Sequence, residues 1–475
     1  MKMAAPATMA AMALALVLLS ATATATATEG DVRQFSVLSR PIKLKFGEVH
    51  NTIQEPIRLP WEIVAEFAVK PLAIVDYKVD IVSLNEDGEE TQVPLYQAYN
   101  HHYALGIGNY EQMYGYYETH KDDPYGGYEL NSTAAPTMKR FMQDMRGLGQ
   151  RRGERRAANF GGGSGAEERG TSHLLPTPYA HIVDSPQAII PLIHLINTDA
   201  GSQPETPSRL LECPCTPQRV FDVGADKIDG KPPVPPFSCN LKFMQEENPS
   251  CELDWYEGGF RCCEHGVFVI DTDKHDPATL PEQEFYFKFI FDYKDVEPET
   301  VPVRPPACCD VTANLTVGGN IEFDVPQCTA GIAPEDCVYE MTSSQFFDLM
   351  PNYHSNQTRE KDVDPKQQVD LVYAVGHLHV GGLSLDLYDD ESGELICHSE
   401  PTYGTGSAAG DELGYLTGMS SCTFDPPLRM TRDAVVRTVA RYNNTVPHHG
   451  VMALWLMEVA DPVAPTIQGD PLPSF

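Results

Sequence analysis

This sequence predicts an all-β chain of two antiparallel β-sandwich domains, on three observations. Apolar and polar residues alternate with a period of two in segments such as Leu383 to Tyr388, the pattern of a strand with one buried face. Runs dense in aromatic and β-branched residues, such as Phe285-Tyr286-Phe287-Lys288-Phe289-Ile290-Phe291, supply further strands. No convincing helical period interrupts Phe35 to Val93, where short strands are broken by turns.

The elements follow in order. Residues 1–28 read as a secretory signal peptide, with a positive start (Met1-Lys2-Met3), an apolar core over 9–19 and small residues from Ser20 to Thr28. That core is too short to span a membrane and no later segment reaches spanning length, so a secreted, extracellular chain with no membrane span is expected. Residues 29–300 make the expected N-terminal β-sandwich domain. Ile63 to Val69 and Tyr77 to Val82 read as strands, and Asn85-Glu86-Asp87-Gly88 as a turn. The tyrosines at 110, 114, 116, 117, 125 and 128 suggest a packed or ligand-facing loop.

Residues 137–172 are a different material. Seven arginines lie between Arg140 and Arg169, broken by Gly161-Gly162-Gly163-Ser164-Gly165, and few apolar residues accompany them. This reads as a disordered, flexible Arg/Gly-rich insertion. A strand, Ala188 to Asn197, comes next, and residues 211–263 then hold six cysteines, a disulfide-rich segment. The proline-rich run from Pro298 to Pro306 reads as a linker. Residues 301–465 make the expected C-terminal β-sandwich domain, and 466–475 a tail.

Lysine plus arginine number 34 against 67 aspartate plus glutamate, a net charge of −33. Such a chain repels phosphate backbones and anionic lipid, so no nucleic-acid partner is expected. Twelve cysteines, all after the leader, read as disulfides in an oxidising compartment, with Cys397 and Cys422 a candidate pair. Sequons begin at Asn131, Asn314, Asn356 and Asn443, as in a secreted glycoprotein.

The candidate chemistry lies in histidines. His377 and His379 are two apart in a β-prone stretch, so on a strand both imidazoles leave one face. Two readings stand for them: half of a metal site, or two ordinary histidines. His101 and His102 are adjacent, and on an ideal strand they point to opposite faces; both reach one metal only at a bend or bulge. His194 sits in an otherwise apolar strand, either as a satisfied core residue or as a ligand. Counting ligands, His101, His102 and His194 would form a three-histidine site in the first domain. His377 and His379 need one more donor, and Met452 is the candidate. A thioether is a soft ligand that favours Cu(I), so the two sets together point to copper that changes redox state.

Several stretches resemble the stress-up-regulated nodulin family of the nodulin-nineteen type. They are Tyr99-Asn100-His101-His102, Ile193 to Thr198, Gly258 to Cys263, Val375 to Gly382, Pro401-Thr402-Tyr403-Gly404, Gly414 to Cys422 and His449-Gly450-Val451-Met452. More distantly, the chain is similar to the copper type II, ascorbate-dependent monooxygenases. That resemblance implies two jelly-roll-like domains, with one copper held by an adjacent histidine pair plus a third strand histidine, matching His101, His102 and His194. It implies a second copper on His-x-His and a distant methionine, matching His377, His379 and Met452. The function so implied is ascorbate-dependent C–H hydroxylation of a small-molecule or peptide substrate, with two copper ions as cofactor. The chain departs from that family in the long interval between His194 and His377. The readings that compete with the enzyme are copper storage or buffering, and a non-enzymatic extracellular β-sandwich that binds a partner or glycan through the tyrosine-rich stretch.

Overall fold

A computed structural model describes residues 32–121, 141, 145, 156–163, 167–199, 265, 266, 268, 276–313, 323–349 and 364–462. The leader (1–28), the Cys-rich segment (211–263), the tail and the sequons at Asn131, Asn314 and Asn356 lie outside these residues. The first half contributes β1 (Arg33–Leu38), β2 (Ile42–Lys45), β3 (Val49–Ile53), β4 (Ile57–Arg58), β5 (Pro71–Leu84), β6 (Glu90–Gln92) and β7 (Ala98–Gly108). These are followed by β8 (Ala158–Gly163), β9 (Tyr179–Asp184), β10 (Ala188–Asn197) and β11 (Glu282–Asp295). The second half holds β12 (Val301–Arg304), β13 (Phe323–Val325), β14 (Val338–Phe346), β15 (Gln368–Leu378), β16 (Gly382–Asp389) and β17 (Leu395–Ser399). It ends with β18 (Pro401–Tyr403), β19 (Leu416–Met419), β20 (Ser421–Thr431), β21 (Val435–Asn443), β22 (His448–Val451) and β23 (Ala453–Ala460).

The all-β, sandwich-like expectation is borne out. In the first half, the sheet of β1, β11, β5 and β9 faces the sheet of β3, β10, β7 and β8. Their inner faces supply one core, with Phe285, Phe287, Phe289 and Phe291 alternating inward from β11. In the second half, β14, β21, β16 and β17 form one sheet, and β23, β15 and β20 belong to the other. A second core fills the space between them. Cys397 on β17 and Cys422 on β20 pair across these two sheets, as the sequence suggested. Cys328–Cys337 and Cys308–Cys309 also pair. No helix of the described residues is long and apolar enough to cross a membrane.

Four expectations are corrected. The run Ile63 to Val69 is not a strand: residues Trp61–Glu66 form a helix, α1, that follows Pro60. Only Ile63 and Phe67 of this run are buried, a spacing of four that suits a helical turn, while Val69 is exposed. The tyrosines at 110, 114, 116 and 117 are not in a loop, and Tyr125 and Tyr128 lie outside the described residues. Asn109 caps a helix, α2 (Tyr110–His120), by accepting the Gln112 N–H, and Tyr110, Tyr116 and Tyr117 pack on the outer face of β10. The proline-rich linker contains β12, which pairs in parallel with β9 and antiparallel with β23. One sheet therefore runs unbroken from the first half into the second.

The fourth correction concerns the Arg/Gly-rich insertion. Its glycines Gly161, Gly162 and Gly163 form part of β8, paired along β7. Its C-terminal end is clamped between the halves by a short helix, α3 (Glu167–Gly170), and the residues after it. Arg169 bonds Asp80 on β5 and Glu412 of the second half, and donates to the carbonyls of Ile81 and Val93. Gly170 lies so close to Thr417 that a Cβ there would meet its carbonyl oxygen at 2.3 Å. Thr171 accepts the Met419 N–H, and the Ser172 carbonyl accepts the Tyr373 hydroxyl. Composition reported low hydrophobicity, but specific ion pairs and close backbone packing order residues 169–172, while 137–140, 142–144, 146–155 and 164–166 lie outside the described residues.

Candidate metal centre

The first histidine set is built by a β-bulge. β10 and β7 pair with His194 opposite His102, but the next pair is Leu195 opposite Asn100, so His101 is the extra residue. Directly opposed residues share a face, which places His102 and His194 together. A bulge re-aims the residue it inserts. This turns the His101 ring, which would otherwise point into the sandwich core, toward its neighbour. The condition that adjacency imposed on the sequence is thus met.

The resulting cluster is compact. The His101 and His194 rings stack at 4.3 Å between centroids, and the His102 and His194 rings meet edge to face at 4.7 Å. His101 Nδ1 and His102 Nδ1 are 3.1 Å apart. One nitrogen from each of the three residues lies within 4.8 Å of the others. Metal–imidazole bonds of about 2.0–2.1 Å, as for zinc, separate ligand nitrogens by about 3.3–4 Å. Small side-chain movements suffice to close the site on an ion.

The set lies on the outer face of the β10–β7 sheet, in line with Ile190 and Leu192 and opposite the core-facing Ile189 and Ile193. There it is covered: His194 is 0% exposed and His101 3%. Beside it, Tyr415 of the second half packs on Leu95 and Tyr99, and the Glu412 carboxylate accepts the Leu95 N–H.

The second set sits where β15 ends. His377 is opposite Leu454 and Leu378 opposite Ala453, so one further step in register places His379 opposite Met452. Ala453, Trp455 and Met457 face the second core, whereas His377, His379, Leu454 and Met452 do not belong to it. Gly381, at φ +95°, turns the chain from β15 into β16, so the alternating segment Leu383 to Tyr388 lies on a separate strand from His377. The His377 and His379 rings lie 5.3 Å apart at a right angle. All three side chains are buried, His379 to 1% exposure.

The two sets lie near enough for their imidazoles to influence one another. Burial first, then the imidazoles of His102, His379 and His377, push His101 well below the usual imidazole range. Burial and then His377 lower His102 to about 4. Burial first, then His377 and His448, likewise hold His379 well below that range. These three rings are therefore neutral at pH 7, the form that donates a lone pair to a metal. The chemistry of the donors fits copper: neutral imidazole nitrogens in one set, and imidazoles with a soft thioether at hand in the other.

Two features were missed by sequence reasoning. One is Tyr442, whose buried phenol oxygen accepts the His379 N–H at 3.0 Å and donates to the Met452 carbonyl. The other is Tyr403, whose hydroxyl accepts the Gly381 N–H at 3.0 Å and donates to the Gly382 carbonyl at 2.7 Å. Both act on backbone groups from distant strands, for which a single sequence carries no signal.

Among known proteins, residues 237–462 match the family described as Stress up-regulated Nod 19. The matched span contains His377, His379 and Met452, while His101, His102 and His194 precede it. No curated protein matches the chain.

Proposed function

Starting from a chain that belongs, over residues 237–462, to the stress up-regulated Nod 19 family, we propose that it is a secreted, N-glycosylated copper protein with two metal sites. Its activity on this reading is ascorbate-dependent monooxygenation, the hydroxylation of a C–H bond in a small molecule or peptide. The observation that carries the reading is the bulge at His101, which brings three imidazole nitrogens within 4.8 Å of one another on rigid strands.

His101, His102 and His194 would hold one ion, and His377, His379 and Met452 the other. Copper, when bound, supplies one-electron redox chemistry toward dioxygen. The chain's own contribution is to fix the imidazoles on paired strands, keep them neutral through burial, and exclude bulk water from them. A second reading, copper storage or buffering without turnover, is favoured by the burial of His101, His194, His377, His379 and Met452, with His102 alone half-buried.

The copper-loaded, secreted chain should carry about two copper ions per molecule, three protein ligands at each. Changing His377 and His379 together to alanine should leave about one, and changing His102 and His194 should do the same from the other side. Elemental analysis reads both. A protein that retains no copper after loading would overturn the proposal. Oxygen consumption that requires ascorbate separates the enzyme from the storage protein.

A further inference from the structure

We infer that the Tyr442 hydroxyl is a spacer between the two strands that carry the second ligand set, and that Tyr442 is a positioning residue for the ion held by His377, His379 and Met452. The inference rests on the proposed copper-binding function and adds a residue to it.

The β15–β23 ladder runs through Leu378 opposite Ala453 and stops. The next two residues are His379 and Met452. A further ladder bond would run from the His379 N–H to the Met452 carbonyl. Instead the phenol oxygen of Tyr442 stands between these two groups, accepting from one and donating to the other. One hydroxyl therefore replaces a direct strand-to-strand bond at the position of the two ligands, and widens the gap between their backbones by roughly one hydrogen-bond length. The donor and acceptor roles leave no choice in the hydroxyl's orientation, because its proton is committed to the carbonyl.

The position of that oxygen is set elsewhere. Tyr442 lies on β21, in the opposite sheet, with its ring fully buried in the second core and edge-on to Phe323 at 5.9 Å. Core packing thus fixes the spacing of two ligands on the other sheet. Tyr403 makes a comparable pair of bonds to Gly381 and Gly382, in the same turn but away from the ligand backbones. It is the natural comparator.

The test uses the full chain loaded with Cu(I), in three forms: unsubstituted, Tyr442→Phe and Tyr403→Phe. Competition with a Cu(I) chelator measures affinity, and X-ray absorption measures the sulfur scatterer at copper. Tyr442→Phe should weaken one of the two ions by about 10–100-fold, the range for loss of an outer support of a metal ligand, and should diminish the sulfur signal. The other ion should keep its affinity, and Tyr403→Phe should leave both within about threefold, well below that range. Equal weakening by the two variants, or an unchanged sulfur signal in Tyr442→Phe, would overturn the inference while leaving the copper reading intact. Absence of copper from the unsubstituted chain would instead overturn the function on which it rests.

Discussion

Replacing Arg169 with methionine should lower the stability of the folded chain by about 3–5 kcal/mol, the cost of breaking a buried ion pair from one side. The guanidinium lies between Asp80 and Glu412, with side-chain exposures of 10%, 13% and 0%. Methionine keeps most of the volume, so packing is retained, but two carboxylates are left buried without their cation. Glu412 still accepts the N–H groups of Leu95 and Gly410, which soften the loss without neutralising the charge. The matching control is Arg156→Met. Arg156 pairs with Asp184 at the surface, with exposures of 49% and 27%, and its removal should cost about 0–1 kcal/mol. Urea unfolding of both variants makes the comparison, and a loss at Arg169 no larger than at Arg156 would show that this ion network does not join the halves.

Acid should destabilise the metal-free protein between pH 6.5 and 5. His173 and His181 are buried, and burial lowers both to about 4 from an unfolded value of 6.5. In this window the unfolded chain binds the more protons. The stability these residues contribute is complete above pH 6.5 and is lost as pH falls through 6.5 toward 4. At 1.36 kcal/mol per unit, each histidine accounts for about 1.5–2 kcal/mol between pH 6.5 and 5. Asp76 acts in the opposite sense. Burial raises its carboxyl to about 6, so it favours the folded chain as pH falls through 6, by about 1 kcal/mol over the same range. The net expectation from these three groups is a loss of about 2 kcal/mol, and His50 and His102, also lowered by burial, add to it. Denaturant titrations of the metal-free chain at pH 6.5 and pH 5 test this. Equal stability at the two values would mean that these histidines are already relieved of their burial in solution.

Much of the fold was legible in residue order. Alternation along Phe285 to Phe291 reports a strand with one buried face, and β11 buries the phenylalanines at 285, 287, 289 and 291. Where the reading failed, the local signal was ambiguous or the deciding partner lay far away. Ile63 to Val69 is rich in strand formers, yet Ile63 and Phe67 bury at helical spacing. Arg169 looked like one more charge in a solvated loop until Asp80 and Glu412, 89 and 243 residues away, closed around it.

The sequence by itself determined most of the strands, marked Cys397 and Cys422 as a candidate pair that the structure then joined, and singled out six side chains to follow. Spacing of two puts His377 and His379 on one face of a strand because strand geometry alternates, and no partner is needed to know it. Tertiary structure alone decided the rest. Adjacent histidines converge only because β10 pairs with β7 out of step at His101, and register between strands 92 residues apart is a property of the folded sheet. Met452 comes opposite His379 only because β23 lies beside β15, with a tyrosine from the opposite sheet between their backbones.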